Sequence, residues 1–152
     1  MKIKIELIDS GQDEVVIRCR SLDDRVRRMA AWLEAESSGK NVLKLLSDNA
    51  EYYVDPNEIL YFETDNNRVY AHTRDGVYVA PHKLFELESL LAPGFVRSAK
   101  SSLVNIYRIR SLRRELAGNG EITFRDSDKR IYFSRGYYKP LHEKITEMRL
   151  IV

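Results

Sequence analysis

The chain is poor in cysteine, in histidine and in long apolar runs, and each scarcity removes a class of protein. Cys19, the one cysteine, cannot build an intramolecular disulfide framework. No stretch approaches the ~18–20 apolar residues of a membrane helix. The opening Met-Lys-Ile-Lys-Ile-Glu lacks the uninterrupted apolar core of a signal peptide, so a cytoplasmic location is expected. His72, His82 and His142 are scattered, with no carboxylate or cysteine partner at metal-ligand spacing. Gly118-Asn119-Gly120 is not followed by the Lys-Ser/Thr of a phosphate loop. Ser101 has no histidine near it in sequence to act as a base. No catalytic residue, metal or cofactor is expected, and the chain does not read as an enzyme. Internal repeats and low-complexity tracts are absent as well.

What is present is enough for one full domain and a small extension. The 152 residues are 43% hydrophobic, sufficient for a core, and 32% charged with a mean hydropathy of −0.42, the balance of a soluble protein. The net charge of +2 conceals a polarity. Residues 1–40 are neutral, residues 41–95 carry −5 and residues 96–152 carry +7. A basic final third is the electrostatic footprint of a nucleic-acid face, although a solvated surface has the same composition.

Residues 1–40 read as a strand–strand–helix extension. Ile3, Ile5 and Leu7 alternate with Lys4 and Glu6, and Val15–Cys19 is a β-branched run after a Ser10–Asp13 turn. Ser21–Asp24 resembles a capping box, and Leu22, Val26, Met29, Ala30 and Leu33 then recur at helical spacing. That apolar stripe needs a partner, in a homodimer or on the chain itself. Ser37–Lys40 reads as the linker.

From residue 41 the texture is of short strands and tight turns. Val42–Leu46 and Tyr52–Val54 flank Ser47-Asp48-Asn49; Ile59–Glu63 and Arg68–Thr73 flank Asp65-Asn66-Asn67; Asp75-Gly76 leads into Val77–Ala80. A short helix around Leu84–Leu91 stops at Pro93-Gly94. Ile106–Leu116, Glu121–Phe124 and Ile131–Phe133 complete the strands, and a helix capped by Ser134 follows, with Pro140 awkwardly inside it. The expectation is a mainly β domain over 41–152 with few short helices. A helix-turn-helix needs two adjacent amphipathic helices, and the most basic region reads as strands and loops.

Phe95–Asn105, Phe-Val-Arg-Ser-Ala-Lys-Ser-Ser-Leu-Val-Asn, interleaves Arg97, Lys100 and Ser101 with Phe95, Leu103 and Val104. Basic groups and hydroxyls are the donors that phosphates and guanine edges accept from. This stretch closely resembles the signature of the LytTR-type DNA-binding domains, a bacterial transcription-factor family. Phe95, Val96, Arg97, Lys100, Ser101, Leu103, Val104 and Asn105 fit it, while Ala99 stands where members often carry histidine. Asp55–Glu63 resembles the family's opening strand motif and Ile131–Arg135 its closing motif, so the likeness spans roughly residues 41–145 in order.

The resemblance implies a sequence-specific regulator that holds double-stranded DNA with loops. It implies contacts at Asn66, Asn67 and Arg68, at Lys100 and Ser101, and at Arg135 with Lys139 nearby. The chemistry agrees: Arg135 suits guanine O6 and N7, Asn67 suits adenine N6 and N7, and Lys100 suits guanine or phosphate. Arg68 and Ser101 suit phosphate. Each has a plainer reading. Asn66 and Asn67 are ordinary turn residues, and Arg97 is either a DNA contact or a structural arginine, spreading over a tyrosine face or pairing with an acidic side chain. Asn105 reads as a backbone partner. Arg108, Arg110, Arg113 and Arg114 form a second basic cluster in which Arg108 and Arg110 share strand parity and Arg113 lies on the other face, and Lys129-Arg130 reads as a charged turn, with phosphate contacts as the alternative. Many family members carry a phosphoacceptor receiver, for which forty residues are too few, so a stand-alone regulator is expected. Family analogy adds a membrane-protein regulator as a partner. The rival reading is a protein-interaction or ligand-sensing module on the same scaffold that has lost DNA binding.

Overall fold

The computed structural model describes residues 1–38 and 41–150. The chain divides into two units, Met1–Lys40 and Asn41–Val152. Gly39 and Lys40, half of the expected linker, lie outside the described residues.

The first unit differs from the strand–strand–helix expectation. Residues 1–23 contain no strand, and Ile3, Ile5, Leu7, Val15 and Val16 are exposed. Alternation permits a strand but does not supply its pairing partner, and a lone two-stranded hairpin is marginal in water. Cys19 is exposed rather than set in a strand. The helix does form, as α1, Asp24–Ser38. Its cap is Asp23 rather than Ser21: the Asp23 carboxylate accepts the Val26 N–H at 2.9 Å.

The second unit is two antiparallel sheets. Strands β1 (Leu43–Ser47), β2 (Ala50–Val54), β3 (Ile59–Asp65), β4 (Arg68–Thr73), β5 (Val77–Ala80), β6 (Phe95–Ala99) and β7 (Ser102–Asn105) form a seven-stranded sheet in the order β2-β1-β5-β4-β3-β7-β6. β8 (Ile109–Arg114), β9 (Gly120–Phe124) and β10 (Arg130–Phe133) form a three-stranded meander. Helix α2 (Leu84–Leu90) joins β5 to β6, and α3 (Tyr138–Arg149) follows β10 through a 3-10 turn at Arg135–Tyr137. Among the described residues no two α-helices are consecutive in the chain.

Each face of the large sheet carries a core. Leu45, Phe62, Val69, Ala71, Phe95 and Leu103 pack with Leu84 and Leu87 of α2. Tyr61, Val104 and Ile106 pack with Ile122, Phe124, Ile131, Phe133 and Leu141, from the small sheet and α3. Neighbouring residues such as Phe62 and Tyr61, or Leu103 and Val104, thus serve opposite cores, as strand alternation requires. A bulge between Ile59 and Tyr61 breaks that alternation and sends both Leu60 and Tyr61 into the second core. Pro140 is the third residue of α3, where its missing N–H would have had no partner in the helix. Its place in the sequence is therefore no obstacle to the helix.

Candidate nucleic-acid interface

Turn chemistry builds the first exposed tip. Asn66 and Asn67 both have positive φ, 49° and 63°, the backbone that a two-residue hairpin of this twist demands and that asparagine tolerates. Asn66, Asn67 and Arg68 are all exposed there, at the end of the β3–β4 hairpin.

The signature stretch folds into a second hairpin, β6–β7, with Lys100 and Ser101 exposed at its tip. β7 pairs with β3, matching Ser102 to Glu63, and the Thr64 N–H donates to the Ser101 carbonyl at 2.8 Å. The two tips are therefore neighbours at one end of the large sheet. Beneath the second tip the Ser98 and Ser102 hydroxyls bond each other at 2.5 Å, both buried. The Arg97 guanidinium donates from Nε to Glu88 of α2 at 2.8 Å and from a terminal nitrogen to the Lys100 carbonyl at 2.5 Å. Of the two structural alternatives for Arg97, the acidic partner is the one observed, and it is Glu88. Asn105 is buried and bonds backbone, donating to the Ile59 carbonyl at 3.0 Å and accepting the Tyr107 N–H at 3.1 Å.

The third segment is tied to the same end. The Ser134 N–H donates to the Ser98 carbonyl at 2.9 Å, which sets the Arg135 turn against the outer edge of β6. The Arg135 side chain lies over Gly118: a Cβ there would meet its Cγ at 2.8 Å. Arg135 and Lys139 are exposed. Arg114 lies 4.4 Å over the Tyr138 ring, adding a basic group beside them. The expected residues from all three segments are thus brought to one end of the domain, with Arg97 behind them as a brace.

Other basic residues are committed elsewhere. Lys129 Nζ donates to the Gly76 carbonyl at 2.9 Å, from the small sheet to the β4–β5 turn, and its burial pulls its pKa down against the attraction of Asp75 and Glu63. Arg130 pairs with Glu121 at 2.9 Å. The second basic cluster is split by a bulge between Ile109 and Ser111, so counting strand parity across Arg108 and Arg110 does not hold. His72 stacks on Tyr61 at 4.3 Å and bonds Glu63 at 2.7 Å, half-buried in β4. Burial pushes the Tyr61 hydroxyl up to about 12, with Glu63 adding to the rise. Among the described residues no group of three or more His, Cys, Asp or Glu is placed to hold a metal, and no helix is long and apolar enough to cross a membrane. Glu88 was not foreseen as part of this site. It lies nine residues before Arg97 on another element, and no sequence period links the two.

A sequence model of the LytTr DNA-binding domain matches residues 49–146. The chain belongs to that family. Among curated relatives, two proteins of Staphylococcus aureus, from strains bovine RF122 / ET3-1 and NCTC 8325 / PS 47, are 30% and 29% identical over 99 residues, covering 65% of this chain and 67% of theirs. Both are named uncharacterized HTH-type transcriptional regulators. A solved LytTr DNA-binding domain from Bacillus cereus superposes with a TM-score of 0.65 at 20% identity, over 70% of this chain and 98% of that domain. The mainly β LytTr fold expected from the sequence is therefore the observed one. The family is a DNA-binding one, and the helix-turn-helix in the relatives' names has no counterpart among the described residues.

Proposed function

We propose that this LytTr protein is a sequence-specific transcriptional regulator that grips duplex DNA with three loop segments. The observation carrying this reading is the gathering of Asn66, Asn67, Arg68, Lys100, Ser101, Arg135 and Lys139 at one end of the large sheet, in three segments joined by backbone hydrogen bonds. Asn67, Lys100 and Arg135 read base edges. Arg68, Ser101 and Lys139 hold phosphates, and Asn66 shapes the tip. Arg97 supports the middle segment from behind. The regulator acts in the cytoplasm, and the exposed apolar side chains of residues 1–38, including Leu22 and Trp32, serve a homodimer contact.

The test is a fluorescence-anisotropy titration against a duplex selected from a random pool, at two salt concentrations. Binding should weaken steeply with salt, since phosphate neutralisation releases counterions. A scrambled duplex should bind more weakly. Ala99, in place of the frequent family histidine, favours the rival reading of a scaffold that has lost DNA binding. Failure to enrich any duplex, with no salt-dependent binding, would establish that rival.

A further inference from the structure

We infer that Glu88, a residue of α2 outside the three DNA-contacting segments, is a positioning residue for base reading by the β6–β7 tip. The inference rests on the reading above, in which Lys100 contacts DNA.

The geometry is a two-step relay. Glu88 Oε2 takes the Nε–H of Arg97 at 2.8 Å, and the same guanidinium donates to the backbone carbonyl of Lys100 at 2.5 Å. A guanidinium is planar with its donors in a fixed fork, so fixing one edge fixes the direction of the other. With Glu88 in place, the Lys100 carbonyl has one defined donor. Without it, the four-bond arginine side chain regains rotamer freedom and the carbonyl turns to water.

The surroundings make the tip sensitive to that one bond. The β6–β7 ladder slips register between Arg97 and Ala99, so beyond the slip a single pair, Ala99 with Ser102, closes the turn. Two other ties hold it: Thr64 N–H to the Ser101 carbonyl, and the buried Ser98–Ser102 hydroxyl pair. Neither acts on residue 100. Arg97 supplies the bond to its carbonyl, and the direction of that peptide sets where the Lys100 side chain leaves the turn. A lysine ammonium on a flexible stem discriminates bases only as well as its backbone is held. The Arg97 side chain is 21% exposed and that of Glu88 46%, so the pair is partly screened by solvent. Its role is therefore one of geometry and does not depend on the strength of an ion pair.

The test uses the full chain, a duplex selected from a random pool, and a panel with each base pair changed in turn. Lys100→Ala first marks the positions that lose discrimination. Glu88→Ala should relax those same positions roughly five- to tenfold, leave affinity for a scrambled duplex within about twofold, and leave discrimination by Asn67 and Arg135 intact. The double variant Glu88→Ala/Lys100→Ala should lose no more than Lys100→Ala alone. The charge swap Glu88→Arg/Arg97→Glu separates positioning from stability. It restores the ion pair and the melting temperature, but a glutamate at 97 cannot donate to the carbonyl, so discrimination should stay relaxed. Full discrimination in the swap, or an unchanged panel for Glu88→Ala, overturns the positioning role while leaving Lys100 a base reader. An unchanged panel for Lys100→Ala overturns both readings of the tip.

Discussion

Thr64 and Ser101 share a backbone hydrogen bond of 2.8 Å, N–H to carbonyl, at the point where the β3–β4 and β6–β7 tips meet. A backbone bond survives side-chain substitution, so the two tips should keep their spacing when any one contact residue is truncated. Point variants at the tips can then be read as lost contacts and not as collapsed loops.

On that footing Asn67→Ala and Arg135→Ala should each cost about 1–3 kcal/mol on the selected duplex and much less on a scrambled one. Arg68→Ala should weaken both duplexes alike and flatten the salt dependence. Titrations of the three variants on both duplexes at two salt concentrations make the comparison. Equal losses on the two duplexes for Arg135→Ala would assign Arg135 to phosphate.

Gly118 offers an indirect route to the same arginine. Its φ of +95° lies where side chains are strained, and an added Cβ would press on Arg135 Cγ at 2.8 Å. Gly118→Ala should cost about 1 kcal/mol of folding stability and loosen discrimination at the base pairs that Arg135→Ala affects. Urea unfolding and the duplex panel read the two effects separately. Full stability with unaltered discrimination would mean that the loop and Arg135 are not in contact.

The pH dependence of folding should carry a signature of His72. Burial lowers its pKa below the ordinary 6.5, against the pull of the Glu63 carboxylate and with a smaller push from Lys129. The unfolded chain therefore takes up this proton first as pH falls. Stability from this group is full above about pH 7 and declines as pH drops through 6.5 toward the folded value. His72→Gln should flatten that part of the profile of urea midpoints. An equal slope in the variant would place the titration elsewhere.

Removal of residues 1–38 should abolish dimerisation and leave the LytTr unit folded. Sedimentation before and after deletion is the measurement. An unchanged oligomeric state would free the exposed apolar side chains of residues 1–38, Leu22 and Trp32 among them, from any role between copies.

Much of the second unit was legible because local chemistry dictated it. Asn66-Asn67 and Asp48-Asn49 announce tight hairpins, and all four adopt positive φ. The alternation in β4 follows its core face, with Val69 and Ala71 buried. What the sequence concealed were features that need a partner from elsewhere. Ile3–Leu7 alternates as well as any strand but finds no neighbour. Ile106–Leu116 reads as one strand, yet Asn105 turns the chain at Tyr107 and Arg108, and β8 begins at Ile109. The Arg97–Glu88 pair and the reach of Lys129 to Gly76 join elements whose proximity only the tertiary packing creates.

The Ser134–Ser98 bond has a consequence for handling the protein. β6 is an outer strand of the large sheet, and outer strands invite edge-to-edge association. Here the chain after β10 covers that edge at Ser98 and, in the same few residues, presents Arg135. A fusion tag, protease nick or truncation that peels this segment away would uncover an adhesive strand as it displaces Arg135, the arginine proposed to read bases. Preparations that lose DNA binding through C-terminal damage should for that reason also be the ones that aggregate.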